Sequence, residues 1–314
     1  MVYFLSALEY PVRGRTFSEP GGPHVAVAAG KDLNAALEHL AARPDCSGLA
    51  LLGVPATHPE LGPVSGRRLL VCDSDGSRMR DFVAAAWKAG AEAEWISTSR
   101  PSADRLGGWA LPVSGLVLAA GSGSRMGAGQ PASKDVNKLL LDYQGSPLVR
   151  YAVSAATEGG CQGTWAVYSR PEVAAVLEGS ATCVRNPDAA SGQASSLRVG
   201  LENLPHWAAG ACIVLGDQPL VGARTVEMIL RAWRQEGARP AVAASYGGDW
   251  RPPVVIDRSL WPQLLALSGD AGARQVLNGH PELLDTVPAP GLPDDIDTPE
   301  DYARILRLPR RGPS

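Results

Sequence analysis

Several features that would define a functional class are scarce or missing in this sequence of 314 residues. Aromatic residues make up 6% and charged residues 19% of the chain, the net charge is −3, and no long basic run of the kind that lines a nucleic-acid groove is present. No apolar run is long enough to span a bilayer, and the N-terminus lacks the basic start and long apolar core of a signal peptide. These absences argue against nucleic-acid, membrane and secreted proteins and predict a cytoplasmic location.

Cysteine is also sparse and dispersed. The five cysteines are odd in number, and no pair has the spacing of metal ligands. We therefore expect neither a metal–thiolate site nor a disulfide framework, which fits a reducing compartment.

Short apolar runs alternate with amphipathic segments along most of the chain, and this pattern predicts an α/β fold. A polar, turn-prone stretch at residues 97–108 predicts a linker. We accordingly expect a small α/β domain over residues 1–108 and a second domain over residues 109–314. In the second domain, repeated strand–helix units predict a doubly wound, mostly parallel sheet of Rossmann-like type, with its ligand at the carboxyl ends of the strands.

The strongest motif reads LVLAAGSGSRMG at residues 116–127. Residues 115–120 read as a buried strand, and the small residues after it let backbone N–H groups approach a polyphosphate. Arg125, and Lys138 further on, could neutralise such a group. The spacing fits neither the P-loop nor the dinucleotide fingerprint. The alternative interpretation is an ordinary turn after a strand.

Two aspartates are candidate metal ligands. Asp217 follows a predicted strand at residues 211–215 within GDQP, and Asp297 lies within DDIDTPEDY at residues 294–302. A carboxylate at the end of a strand can hold Mg²⁺ against substrate phosphates, because hard cations prefer oxygen ligands. The alternatives are a turn aspartate for the first and a helix start for the second, since Thr298 precedes a proline.

Two further segments that contain glycine are candidate binding segments. One reads NPDAASGQASSL at residues 186–197, and the other reads GDAGAR at residues 269–274. A glycine that leads into a helix start can bind an anion through backbone N–H groups. A plain helix cap is the alternative for both segments.

Taken in their order along the chain, these five segments resemble those of the molybdenum cofactor cytidylyltransferases, a family of nucleotidyltransferases, over residues 113–305. The sequence departs from the family pattern in four places: Gln218 replaces a methionine, the loop at residues 128–136 is longer, Pro252 replaces a small residue or histidine, and residues 1–108 have no counterpart in the minimal enzyme.

The resemblance implies Mg²⁺-dependent transfer of CMP from CTP to the terminal phosphate of molybdopterin, giving molybdopterin cytosine dinucleotide and pyrophosphate. It implies catalytic roles for Arg125, Lys138 and Asp217, a metal held by Asp217 and Asp297, and an acceptor contact by Arg274. The residues that it implies for nucleotide binding are Leu118, Ala119, Ala120, Gly121, Gly123, Asn186, Gly192 and Ser195. Ala120 stands where guanylyl-transferring relatives have glycine, which favours cytidine.

Two other functions fit the same fold, because function depends on the site. One is an oxidoreductase using NAD(P)H or a flavin. Hydride transfer does not need a pair of Mg²⁺ ligands, however, and Asp217 and Asp297 would form such a pair. The other is a non-catalytic protein that binds a nucleotide or cofactor. The expected partners are the substrates CTP and molybdopterin, and a molybdoenzyme or cofactor-insertion protein is a candidate partner of residues 1–108.

Overall fold

The computed structural model describes residues 2–3, 24–29, 33–42, 46–52, 61–65, 67–72, 76–96, 111–121, 137–235, 238–290 and 293–309. The chain divides into two compact units, one of Met1–Pro112 with Arg234–Gly237 and one of Val113–Trp233 with Ala238–Ser314. The predicted linker at residues 97–108 lies outside the described residues.

The first unit contains a five-stranded sheet within its described residues. Its strands are β1 Val2–Tyr3, β2 His24–Ala29, β3 Cys46–Leu52, β4 Arg68–Cys72 and β5 Glu92–Ile96. The strands pair in chain order, with β2 to β5 parallel and β1 antiparallel to β2. Helices α1 Leu33–Ala42 and α2 Gly76–Lys88 contribute Leu37 and Phe82 to a core shared with the strand residues Leu49 and Leu69.

The second unit is built on a seven-stranded sheet. Its strands are β6 Val113–Ala119, β9 Thr164–Tyr168, β10 Thr182–Arg185, β11 Gly210–Leu215, β12 Ala241–Tyr246, β13 Asp249–Asp257 and β14 Leu284–Pro288, and β7 Asp142–Tyr143 and β8 Ser146–Pro147 form a separate hairpin. The order across the sheet is β10-β9-β6-β11-β13-β12-β14. Strand β13 runs antiparallel to β11 and β12, and the other pairs are parallel. The prediction of a mostly parallel α/β sheet is confirmed.

Helices cover both faces of this sheet. They are α3 Leu148–Glu158, α4 Pro171–Val176, α5 Gln193–Asn203, α6 Ala223–Trp233, α7 Trp261–Leu265, α8 Ala273–Gly279 and α9 Pro299–Leu306. A Cβ at Gly115 would meet Ala156 of α3, whereas the neighbouring Leu116 lies against Gly200 of α5. Because successive strand residues point to opposite faces, α3 and α5 lie on opposite sides, as a doubly wound sheet requires.

The two central strands β6 and β11 are buried on both faces, which explains why each reads as a continuous apolar run. They are parallel, and Leu118 pairs with Leu215 at their carboxyl ends. The loops that follow them therefore leave the sheet at the same edge. No helix in the described parts of the chain is long and apolar enough to cross a membrane.

Candidate active site

The site begins where β6 and β11 end. The backbone N–H of Gly216 donates to the carbonyl oxygen of Leu118 at 3.0 Å. A Cβ at Gly216 would lie 3.2 Å from that oxygen and 3.3 Å from the Ala119 side chain, so a glycine suits this close approach. The contact places Asp217 beside Ala120 and Gly121, the first residues of the glycine-containing loop.

Lys138 connects the two aspartates that the sequence singled out. It opens a 3₁₀ turn, Lys138–Leu140, which Asn137 caps by accepting the N–H of Leu139 at 3.1 Å. The Lys138 Nζ lies 2.6 Å from Asp217 Oδ2 and 2.6 Å from Asp297 Oδ1, and its side chain is only 8% exposed. Burial lowers the pKa of Lys138, but the attraction and hydrogen bonds of both carboxylates outweigh burial, so the pKa is raised. Two carboxylates from distant parts of the sequence thus share one buried cation.

Asp297 is positioned by the start of α9. Thr298 caps this helix in a capping box with Asp301, whose carboxylate accepts the Thr298 N–H at 3.0 Å and the Asp297 N–H at 3.3 Å. The buried Ile296 donates its N–H to the carbonyl oxygen of Asp217 at 3.1 Å. The helix-start interpretation of this segment is therefore confirmed, and the same cap positions Asp297 near Asp217. The role of Asp297 as a metal ligand stays a prediction.

A second pair lies one or two residues away from these aspartates. The Gln218 side chain donates from Nε2 to Asp295 Oδ1 at 2.7 Å and to the Pro293 carbonyl oxygen at 3.2 Å. Burial raises the pKa of Asp295, and the charges of Asp217 and Asp297 raise it further, against the effects of Gln218 and Lys138. The Gln218–Asp295 pair was not among the sequence predictions, although both residues stand inside the predicted motifs.

The loop before α5 is held together by Asn186, which is 1% exposed. Its Nδ2 donates to Ser195 Oγ at 2.9 Å and to Ser196 Oγ at 3.0 Å, and its Oδ1 accepts the N–H of Asp188 at 2.9 Å. Ser195 Oγ donates to the Gly192 carbonyl oxygen at 2.8 Å. The two predicted nucleotide-binding side chains, Asn186 and Ser195, therefore shape the loop, and a nucleotide contact by them stays a prediction.

Gly192 joins this loop to the segment before α8. Its φ is +110°, and a Cβ there would lie 2.3 Å from the carbonyl carbon and oxygen of Gly269. Close to this point, the N–H of Ala194 donates to that same oxygen at 3.0 Å. The contact sets Asp270 beside the start of α5.

Replacing Gly192 by alanine should lower the free energy of unfolding by at least about 2 kcal/mol, because the methyl group meets backbone and the φ is unfavourable. The matched control is Gly179→Ala, where φ is +73° but nothing lies within 4 Å. That variant should lose about 1 kcal/mol. Urea denaturation of the two variants measures the difference, and equal losses would show that the Gly269 contact costs nothing.

Two cavities lie at this edge of the sheet. The larger, about 830 Å³, is called the carboxylate cavity, and its wall includes Lys138, Asp217 and Asp297. The smaller, about 480 Å³, is called the tryptophan cavity after Trp250, and its wall includes Gln218, Asp295 and Arg274. The two share four wall residues, Leu118, Gln193, Leu215 and Asp270. The cavities therefore adjoin.

The structure brings most of the predicted site residues to these cavities. The predicted residues that line the carboxylate cavity are Leu118, Ala120, Gly121, Lys138, Gly192, Asp217 and Asp297. Arg274 lines the tryptophan cavity instead, with its guanidinium 5.7 Å from the centre of the Trp250 ring. Ala119 is a buried residue of β6, and Gly123 and Arg125 lie outside the described residues, as does the long loop at residues 128–136.

Sequence reasoning missed Ser169 and Arg170, which follow β9 and line the carboxylate cavity. The Ser169 Oγ donates to the Ala120 carbonyl oxygen at 3.0 Å and so supports the loop after β6. The sequence did contain a signal for them. Ser169 and Arg170 are polar residues directly after a third predicted parallel strand, and such residues lie at the same carboxyl edge of the sheet as the loops after β6 and β11.

Within the described residues, no group of three or more histidine, cysteine, aspartate or glutamate side chains could hold a metal ion. A cation at this edge would depend on the two carboxylates that already share the Lys138 ammonium. Such a site suits an ion that takes its remaining ligands from water and substrate phosphates.

Known proteins resemble the part of the chain that contains these cavities. The MobA-like NTP transferase domain matches residues 115–285. Nicotine blue oxidoreductase from Paenarthrobacter nicotinovorans is 33% identical over 213 residues, which cover 62% of this chain and 96% of that protein.

Two solved structures are also similar. A nucleotidyl transferase from Methanothermobacter thermautotrophicus has a TM-score of 0.54 at 25% identity, covering 62% of this chain and 95% of that one. The manganese complex of Rv0371c from Mycobacterium tuberculosis has a TM-score of 0.51 at 25% identity, covering 62% of this chain and 98% of that one.

The family match covers more than half of the chain and includes Lys138, Asp217 and both cavity-lining glycine segments. The predictions of the family and of a nucleotidyltransferase are therefore confirmed. The chain belongs to the MobA-like NTP transferase family.

Proposed function

We propose that this nucleotidyltransferase transfers CMP from CTP to the terminal phosphate of molybdopterin and releases pyrophosphate. The observation that carries the proposal is the buried Lys138 ammonium, 2.6 Å from both Asp217 and Asp297 at the wall of the carboxylate cavity. Two carboxylates around one ammonium leave a net negative charge at the carboxyl ends of parallel strands, and this charge suits a divalent cation that arrives with the phosphates of a nucleotide.

In the proposed reaction, an oxygen of the acceptor phosphate attacks the α-phosphorus of CTP. The bond from that phosphorus to the oxygen bridging to the β-phosphate breaks, and pyrophosphate leaves with the electron pair. No covalent enzyme intermediate is required, so positioning and charge stabilisation account for catalysis. Lys138 would stabilise negative charge at the α-phosphate. Arg125 and the backbone of residues 120–123 would hold the departing phosphates.

Asp217 and Asp297 are the residues that would hold Mg²⁺, which neutralises phosphate charge when it is bound. These residues fit Mg²⁺ because carboxylate oxygens are the ligands that hard cations prefer. The two carboxylates also lie close enough together to share one cation, the Lys138 ammonium. The manganese complex of Rv0371c supports a divalent metal in a relative.

The choice of CTP rests on Ala120, a buried wall residue of the carboxylate cavity. Guanylyl-transferring relatives have glycine at this position, and the extra methyl group of alanine is proposed to favour a pyrimidine over a purine. Purified protein with Mg²⁺ and molybdopterin should release pyrophosphate from CTP at a rate at least about tenfold above that from GTP or ATP. Ala120→Gly should reduce this preference, as measured by the ratio of kcat/KM values. An unchanged ratio would place the base elsewhere.

An oxidoreductase is the second candidate, and one observation favours it: the relative at 33% identity is named nicotine blue oxidoreductase. This candidate predicts that the protein binds NAD(P)H or a flavin without any dependence on divalent metal. A purified protein that is yellow, or that binds NADH in the presence of EDTA and releases no pyrophosphate, would support it over nucleotidyl transfer. CTP binding with no turnover would instead indicate the non-catalytic alternative.

A further inference from the structure

The segment that carries Asp297 reaches the site without regular secondary structure. Residues 293–297 belong to neither a helix nor a strand. The position of such a segment depends on individual contacts, because no helical or sheet hydrogen bonds fix its backbone. On its C-terminal side, the N–H of Asp297 is held by the Asp301 carboxylate of the α9 cap at 3.3 Å. The contacts on its N-terminal side therefore decide how closely Asp297 approaches Asp217.

Gln218 supplies two contacts on that side. Its Nε2 donates to Asp295 Oδ1 at 2.7 Å and to the Pro293 carbonyl oxygen at 3.2 Å, and we call these two bonds the Gln218 bridge. Gln218 directly follows Asp217, and Asp295 precedes Asp297 by two residues. The bridge therefore ties together the two loops that carry the candidate metal ligands.

The bridge lies in a setting where a hydrogen bond is strong. Gln218 is 2% exposed, and the adjacent Ile296 is fully buried and donates its N–H to the Asp217 carbonyl oxygen. A bond from an amide N–H to a carboxylate is charge-assisted, and it gains strength where water is excluded. Methionine, which stands at position 218 in the family pattern, has no donor and could not form this bond. The bridge is therefore a feature of this chain.

The arrangement that the bridge supports is a demanding one. One atom, the Lys138 Nζ, lies 2.6 Å from an oxygen of Asp217 and 2.6 Å from an oxygen of Asp297. Two carboxylates can share a single cation in this way only if each is held within about 0.5 Å of its place. Groups that hydrogen-bond around metal-binding side chains accordingly contribute about 10- to 100-fold in metal affinity.

We propose that Gln218 is a positioning residue for the metal site. Through its bonds to Asp295 and Pro293, it holds Asp297 at the distance from Asp217 at which both carboxylates can bind one divalent cation. Gln218 itself does not contact the ion. This inference rests on the metal role of Asp217 and Asp297 in the proposed function, and it is independent of which nucleotide and which acceptor are used.

Mn²⁺ binding tests the proposal directly. Binding to the full chain, without nucleotide or acceptor, is followed by loss of the free-ion signal in electron paramagnetic resonance. Gln218→Met nearly keeps the length of the side chain but removes the donor, and it should weaken Mn²⁺ binding about tenfold. The matched control is Gln263→Met, at an exposed position on α7, which should bind as the wild type does. Unchanged or tighter binding by a folded Gln218→Met protein would overturn the proposal, as would a wild-type protein that binds no Mn²⁺.

Asp295 provides a second pair of variants, which decides the question even if Gln218→Met does not fold. Asp295→Asn keeps Oδ1 as an acceptor for the bridge, whereas Asp295→Ala removes the acceptor. Asp295→Asn should bind Mn²⁺ within about threefold of the wild type, a loss that reflects only the missing nearby charge. Asp295→Ala should lose about tenfold. Equal losses in these two variants would show that the charge of Asp295 acts on the ion and that the bond does not, which would overturn the proposal.

The Mg²⁺ dependence of turnover separates positioning from a general effect on folding. If CTP supports pyrophosphate release, Gln218→Met should raise the Mg²⁺ concentration for half-maximal rate about tenfold, and saturating Mg²⁺ should restore kcat to within about threefold. A merely structural role would lower the melting temperature and leave this Mg²⁺ dependence unchanged.

The two assays also distinguish this proposal from the proposed function. If no nucleotide releases pyrophosphate but Gln218→Met weakens Mn²⁺ binding, the transfer proposal fails and the positioning role stands. If CTP releases pyrophosphate but Gln218→Met and the wild type bind Mn²⁺ equally, the positioning role fails and the transfer proposal stands.

Discussion

Asp217→Asn should lower the rate of pyrophosphate release from CTP by about 10³-fold, because it removes one of the two carboxylates proposed to hold the metal ion. Asparagine keeps the size of the side chain, so the loop after β11 and the Gly216 contact with Leu118 should persist. Lys138 would keep one carboxylate partner, Asp297. Steady-state release of pyrophosphate measures the loss, and circular dichroism establishes that the variant is folded.

The matched control for this experiment is Asp249→Asn, at an exposed position of the β12–β13 hairpin. Its rate should stay within about twofold of the wild type, as expected for a surface substitution. A folded Asp217→Asn protein with wild-type turnover would remove Asp217 from the proposed mechanism. Comparable losses in both variants would indicate a general effect on folding.

Lys138→Met should reduce turnover by about 10²-fold or more and at the same time increase the stabilisation of the protein by divalent metal. The ammonium and a metal ion compete for the same carboxylates, since Lys138 lies 2.6 Å from an oxygen of each. Without the ammonium, Asp217 and Asp297 repel one another in a partly buried setting, which we expect to destabilise the fold by about 1–3 kcal/mol. A bound divalent cation would remove that repulsion.

Thermal unfolding without nucleotide, with and without Mg²⁺ or Mn²⁺, measures this competition. The metal-induced rise in melting temperature should be a few degrees larger in Lys138→Met than in the wild type, by about 2–4 °C for each kcal/mol. Lys88→Met, at an exposed position on α2, is the control for loss of a positive charge. If metal stabilises Lys138→Met and wild type equally, Asp217 and Asp297 do not hold the ion.

The central strands could be predicted because their signals are strong and local. Residues 115–120 and 211–215 were predicted as strands and correspond to Val113–Ala119 and Gly210–Leu215, which are buried on both faces. The edge strands Thr182–Arg185 and Leu284–Pro288 were missed, because both are partly exposed and lack an apolar run. Their pairing depends on a neighbouring strand that the local sequence does not reveal.

The direction of β13 was harder to predict for a different reason. Residues 253–256 were predicted as a strand, and they lie within Asp249–Asp257, although prolines at positions 252 and 253 are unfavourable inside a strand. The pairing with β12 accommodates them with a register shift at Ala243/Ala244. Gly247 and Gly248, both with positive φ, form the hairpin turn, and this glycine pair was a sequence signal for antiparallel strands.

The chemistry of the site was easier to predict than its arrangement. Lys138, Asp217 and Asp297 were named from motifs, and the structure brings all three together. The packing of Gly192 against Gly269 and the hydrogen bond from Gln218 to Asp295 are contacts between distant segments, which no local pattern encodes.

The division of Asp217 and Gln218 between two cavities has a consequence for how such enzymes diverge. Changes at Trp250 or Asn278 alter the wall of one cavity without altering the carboxylates of the other. A lineage can therefore change the shape of the tryptophan cavity while it keeps the carboxylates of the carboxylate cavity. Laboratory evolution that randomises only these wall positions should change what the tryptophan cavity binds while Lys138, Asp217 and Asp297 stay in place.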